Sequence, residues 1–187
     1  SVFHIDERIR RRINIENFKT LPSSFVKNGT VTSGNASVPA DGAAAVLVAG
    51  EKFVRAHHAK PLARILGYAS ISLEPQNVFT AVVSAVKECL KTCGLKLSDI
   101  DLFEISEAFA AQAIYTRDTL KIPSGKMNIY GGDLALGHSL GAAGTRILVT
   151  LAHALKTQNK KYGLAAICYG GGGAIALIVE NEKGKVK

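Results

Sequence analysis

The sequence has no apolar run near the roughly eighteen residues a membrane-spanning helix needs. It also lacks a basic leader followed by an apolar stretch and a small-residue cleavage site. These absences point away from membrane partners and secretion and toward a cytoplasmic setting. There are three cysteines, Cys89, Cys93 and Cys168, too few to form a disulfide framework for 187 residues. Cys89 and Cys93 lie four apart in a helical pattern, but no histidine or further cysteine is close in sequence. A metal site is therefore not expected, and both read as packing or surface thiols. Aromatic residues make up 6% of the chain and do not interleave with its basic runs, and neither an RNP-like run nor zinc-finger spacing occurs. Nucleic acid is accordingly not an expected partner, and the basic segments at Arg8 to Arg12, Lys156 to Lys161 and Lys183 to Lys187 read as solvated. A net charge of +8 still favours anionic ligands, and a phosphate-bearing small molecule fits it.

A hydrophobic content of 47% beside 20% charged residues is that of an ordinary globular domain. Residues 1 to 28 are polar and basic, with an amphipathic trace between Ile13 and Phe25. Gly29 to Ser37 is rich in turn residues. Asp41 to Gly50 is apolar on every side, a pattern that belongs in an interior whether it forms strand or helix. Beyond it, helix and strand alternate: helix over Glu51 to Lys60, strand over Leu62 to Ala69, then helix over Val78 to Cys93. In that helix Val78, Val82, Val83, Val86 and Leu90 recur at three- and four-residue spacing, and Gly94 supplies the stop. A strand over Ile100 to Ile105 leads into a helix over Glu107 to Leu120 with Ser106 as its expected N-cap. A glycine-rich segment, Gly131 to Gly144, opens an apolar helix from Thr145 to Leu155. Leu164 to Cys168 and Ala174 to Val179 close as paired strands. Alternation of this kind predicts an α/β three-layer sandwich.

Three segments place a polar residue where a strand or loop meets a helix or turn: Ser106-Glu107-Ala108-Phe109, Gly137-His138-Ser139 and Cys168-Tyr169-Gly170. Open α/β sheets put their ligand sites at such junctions. Cys168 ends an apolar run and precedes four glycines, where backbone can approach a ligand closely. Against this stands the inert buried thiol, the common state of a free cysteine. His138 sits near the start of an apolar helix, where a neutral imidazole can donate to a developing oxyanion; the plainer reading is a histidine that caps its own loop. Gly141 and Gly144 meet neither Walker nor dinucleotide spacing and read as helix-packing positions.

Together with Asp6-Glu7, Gly29-Thr-Val-Thr-Ser-Gly-Asn-Ala-Ser37, Asp41-Gly-Ala-Ala-Ala45 and Gly131-Gly-Asp-Leu-Ala-Leu-Gly-His-Ser-Leu-Gly-Ala-Ala-Gly144, these segments resemble the thiolase family over essentially the whole chain. That family comprises the acetyl-CoA acetyltransferases and 3-ketoacyl-CoA thiolases. The resemblance implies a thiolase-like sandwich with a mixed five-stranded sheet and a buried helix. It divides the chain into residues 1–60, closing the loop region and N-terminal domain, and residues 61–187, the C-terminal domain. It also implies acyl transfer between coenzyme A thioesters, which are substrates, with no tightly bound cofactor. Cys168 matches the cysteine that removes a proton from the α-carbon or from the CoA thiol, and an effective base there needs glycine N–H groups to draw its pKa down. His138 matches the histidine that activates the nucleophile and holds a thioester oxygen. Gly170 matches a backbone oxyanion donor, Ser37 a serine near the pantetheine arm, and Phe109 a wall of the pocket.

Two positions depart from the family pattern. Ser106 stands where the family has asparagine, which loses the amide that orients a water and is worth roughly 10²–10³ in rate. Ser139 stands where it has proline, removing a φ restraint. The nucleophilic cysteine segment has no counterpart here, so the resemblance implies a C-terminal half that does not turn over by itself. The parent is expected to be a homodimer or homotetramer, in the cytoplasm or, for a eukaryotic source, in mitochondria or peroxisomes. Two other readings stand beside it. A β-ketoacyl synthase shares the fold but pairs its cysteine with two histidines or His and Asn, and a thiolase-like module kept for assembly or lipid-carrier binding would bind CoA without exchange.

Overall fold

A computed structural model describes residues 2, 4–6, 9 and 12–182. Glu7, most of the basic run at Arg8 to Arg12 and the basic end from Lys183 to Lys187 lie outside the described residues. Two short helices, α1 (Ile15–Phe18) and α2 (Glu51–Ala56), precede the sheet. Then follow β1 (Ala63–Ser72), α3 (Ala81–Cys93), β2 (Leu102–Ile105), α4 (Ala110–Leu120), α5 (Asp133–Leu136), α6 (Ala143–Thr157), β3 (Tyr162–Tyr169) and β4 (Gly173–Asn181).

The strands form one mixed sheet in the order β1-β4-β3-β2. β4 lies antiparallel to both β1 and β3, whereas β2 and β3 are parallel. The sandwich class is as expected, but among the described residues the sheet has four strands where five were anticipated. The apolar run that invited a further element, Asp41 to Gly50, forms neither helix nor strand and is largely exposed, Leu47 to 92%. Its apolar pattern signals burial, yet no strand pairs with it.

Each face of the sheet carries a core. On one face α3 sets Val82, Val86 and Cys89 against Phe103, Ile105, Leu164, Ala166, Ala176 and Ile178, all buried. The predicted three- and four-residue spacing is what aligns them on a single stripe. On the other face α6 sets Ile147, Leu151 and Leu155 against Leu102, Ala165 and Val179. Alternate residues of β2 and β3 therefore point to opposite cores, as the two-residue period of a strand requires. Full burial of each large aliphatic side chain contributes about 1.5–3 kcal/mol. α3 is the buried helix of the expectation, and α6 makes the third layer.

The start of α4 differs from the sequence reading. Phe109, in extended conformation, occupies the N-cap, and no side chain caps the helix. Ser106 sits three residues earlier, buried, with its hydroxyl committed elsewhere. A hydroxyl that meets a buried carboxylate has a stronger partner than a free amide N–H.

Candidate active site

Strand β2 ends opposite Ala166 of the parallel strand β3, with Ser106 N–H donating to the Ala166 carbonyl at 3.0 Å just beyond β2. The end of β2 is held from its open side by Asn128. The Asn128 side chain accepts from Ile105 N–H at 2.8 Å and donates back to the Ile105 carbonyl at 2.9 Å, imitating a neighbouring strand. Asn128 also donates to Glu107 at 2.6 Å, and Leu134 N–H donates to the other Glu107 oxygen at 3.1 Å. Glu107 thus ties β2 to α5.

Asp133, the first residue of α5, is fully buried at the centre of this junction. Its Oδ2 accepts from Ser106 Oγ at 3.0 Å and from Glu107 N–H at 2.9 Å, and its Oδ1 accepts from Arg146 Nη2 at 2.7 Å. Arg146, near the start of α6, also approaches Glu104 at 3.9 Å. Burial pushes Glu104 up to about 7, reinforced by Glu107 and Asp133 and opposed by Arg146.

A strap of residues 36–40 joins two of the expected site residues. Ala36 bridges Phe109, and Ser37 N–H donates to the Ala108 carbonyl at 3.1 Å. Pro39 bridges His138, whose N–H donates to Val38 at 2.8 Å and whose carbonyl accepts from Ala40 N–H at 3.1 Å. Gly137 makes the approach feasible: its φ of +86° suits glycine, and a Cβ there would stand 2.5 Å from that of Ala40. Ser37, Phe109 and His138 are consequently gathered along one loop, with Phe109 wedged edge-to-face between Phe25 and Phe79. The His138 ring turns Nδ1 inward, 3.4 Å from Asp133 Oδ2.

Cys168 lies in β3 opposite Ala174 and is half-buried, its side chain on the α3 face. Its thiol pKa is raised, first by burial and further by the Asp133 charge, with its own backbone N–H opposing. The glycine amides expected to draw it down do not do so, and burial prevails. Gly170 is exposed in the turn between β3 and β4, and Gly172, at φ +93°, folds back so that its carbonyl accepts from Leu73 N–H. Ser106 and His138 thus share Asp133 as a neighbour, whereas Gly170 stands exposed in the turn. A hollow of about 360 Å³ opens beside Ser139, lined also by Ala40, Asp41, Leu140 and Thr145; Cys168, Ser106 and His138 do not line it.

Sequence reasoning passed over Asp133, Arg146 and Glu104. Glu104 did leave a trace, a carboxylate in the middle of an otherwise apolar strand. Asp133 read as an ordinary residue of a glycine-rich loop.

The sequence profile of the thiolase C-terminal domain matches residues 59–181, and that of the thiolase N-terminal domain matches residues 1–52. The mitochondrial 3-ketoacyl-CoA thiolase of Mus musculus is 43% identical over 177 residues, which is 95% of this chain and 45% of that protein. A probable acetyl-CoA acetyltransferase of Dictyostelium discoideum is 43% identical over 94% of this chain and 42% of its own length. Among solved structures, the Bacillus anthracis acetyl-CoA acetyltransferase superposes with a TM-score of 0.91 at 38% identity, covering 94% of this chain and 45% of that one. Human mitochondrial 3-ketoacyl-CoA thiolase in complex with CoA gives 0.88 at 40% identity, over 96% of this chain and 45% of that one. The chain spans less than half the length of these relatives.

Proposed function

Because the chain belongs to the thiolase family, we propose that it supplies the C-terminal part of an enzyme that transfers acyl groups between coenzyme A thioesters. The division at residue 60 is part of the proposal, and profile matches that end at 52 and resume at 59 support it. The observation that carries the reading is the meeting of Ser106 and His138 at Asp133, with the strap of residues 36–40 binding Phe109 to His138. Separate strands and loops meet there, at the strand ends where α/β folds take ligands.

In this reading Cys168 is the proton carrier. Its raised pKa keeps it a thiol at neutral pH, ready to give a proton to a carbanion or a departing thiolate. To act as base it must first lose that proton, and the sulfur then keeps the electron pair. His138 assists a thiol held on the other half of the protein and donates to a thioester oxygen. The Gly170 N–H, exposed at the rim, is free to face a second oxyanion. Ser37 and Phe109 line the approach of the pantetheine arm. CoA thioesters serve as substrates, and no tightly bound cofactor enters the scheme. The whole protein is proposed to be a homodimer or homotetramer. Its compartment is proposed to be cytoplasmic, or mitochondrial or peroxisomal in a eukaryote; mitochondrial relatives support the organelle, and no described helix is long and apolar enough to cross a membrane.

A specific observation favours a second reading, a CoA-binding module without turnover. The Ser106 hydroxyl gives its one proton to Asp133 and cannot also donate to a water as an asparagine amide would. Exchange between acetyl-CoA and acetoacetyl-CoA in the full-length protein, beside Cys168→Ala, decides between them. We expect exchange that falls at least about 10²-fold in the variant. Exchange indifferent to Cys168→Ala overturns the proton-carrier role, and CoA binding with no exchange selects the module.

A further inference from the structure

We propose that Asp133 is a positioning residue for His138, holding the imidazole with its proton on Nδ1 and leaving Nε2 as the basic nitrogen that faces the thiols. The inference rests on the acyl-transfer reading for its purpose, but on geometry for its substance. Asp133 is a carboxylate whose side chain is 1% exposed, and an ionised carboxylate so placed persists only with full pairing. Ser106, Glu107 and Arg146 supply three hydrogen bonds and fix its plane. His138 Nδ1 stands 3.4 Å from Oδ2, as a third neighbour of that oxygen beside Ser106 and Glu107.

The imidazole completes the arrangement. Its backbone is clamped on both sides by Val38 and Ala40, and Gly137 turns it back toward the start of α5. Nδ1 is buried and has no hydrogen-bond partner, although Asp133 Oδ2 lies 3.4 Å away. A buried ring nitrogen left unpaired is costly, and a small rotation of the ring closes the pair. Hydrogen bonds of this kind commonly tighten only when substrate is bound. The side chain keeps 17% exposure while Nδ1 has none, so the open part of the ring lies elsewhere.

A carboxylate on Nδ1 fixes the tautomer and stabilises the imidazolium that forms when Nε2 takes a thiol proton. The sulfur retains the electron pair of the S–H bond, and Asp133 remains ionised throughout. Ser106 then has a task distinct from orienting water: it holds Oδ2 in place. Arg146, bound to Oδ1, pairs the carboxylate inside the fold.

The test is a long-range ¹H–¹⁵N correlation spectrum of the full-length protein labelled at histidine, recorded at about pH 8.5, where an ordinary imidazole is neutral. His138→Gln identifies the signal of this ring. We expect the Nδ1–H tautomer in the native chain and Nε2–H in Asp133→Asn, whose amide can donate to Nδ1. Ser106→Ala, which leaves the Arg146 and Glu107 bonds, should show a mixture. A native spectrum with the proton on Nε2 overturns the proposal, and so does one unchanged by Asp133→Asn. The native spectrum decides by itself if Asp133→Asn fails to fold. In the full-length protein, Asp133→Asn should lower kcat about 10²- to 10⁴-fold with little change in KM. An intact Nδ1–H tautomer in a protein without exchange upholds the pairing and overturns acyl transfer, so the two failures are distinguishable.

Discussion

Glu104 is an acid kept from ionising by its surroundings. It is 2% exposed on β2, and its nearest cation, Arg146, is shared with Asp133. Desolvation dominates and lifts it from 4.5 to about 7, while Glu107 and Asp133 push the same way. Between those two values the folded state holds a proton that the unfolded chain has released, so stability is complete below about 4.5 and declines as pH rises through about 7. The quantity at stake is roughly 3 kcal/mol. Denaturant titrations at a series of pH values should show this decline in the native chain and a flatter profile in Glu104→Gln, whose amide cannot ionise. A native profile that rises over the same interval contradicts the assignment. Glu104 was legible in principle, as a lone charge within an apolar strand. Asp133 was not, because nothing in a glycine-rich loop announces that its carboxylate will meet a serine and an arginine from two other elements.

At the scale of elements, the turn between β3 and β4 separates glycines by what each one does. Gly172 has φ +93°, and a Cβ there would lie 2.2 Å from the Leu73 carbonyl oxygen, whereas Gly170 has open space around it. Gly172→Ala should therefore lose about 1–3 kcal/mol, and Gly170→Ala should melt like the native chain. Equal losses at both positions contradict the geometry. Four glycines in a row advertise such a turn from sequence, and the flanking apolar runs advertise its strands. α3 was readable for a similar reason: its stripe of valines repeats at helical spacing and needs no outside information. The beginning of α4 was not. Ser106 has the composition of a cap, but Asp133, which is 27 residues further on, claims its hydroxyl. Local chemistry proposes a partner, and the fold supplies a better one.

For the molecule as a whole, two cores share a single sheet, so neither can dissolve without exposing the back of the other. Leu151→Ala, a cavity on the α6 side, should cost about 2–5 kcal/mol and lower one common transition. Two separate transitions, with the α3 side unaffected, mean that the layers are independent. The layered class was legible in the alternation of helical and strand patterns. The strand number was not, because the apolar run at Asp41 to Gly50 has the composition of an interior segment and lies exposed. The strap at residues 36–40 has a different kind of consequence. The seat of His138 is finished only when a loop of about one hundred residues has been drawn closed. A nick in the strap would leave the sheet standing while casting the imidazole adrift.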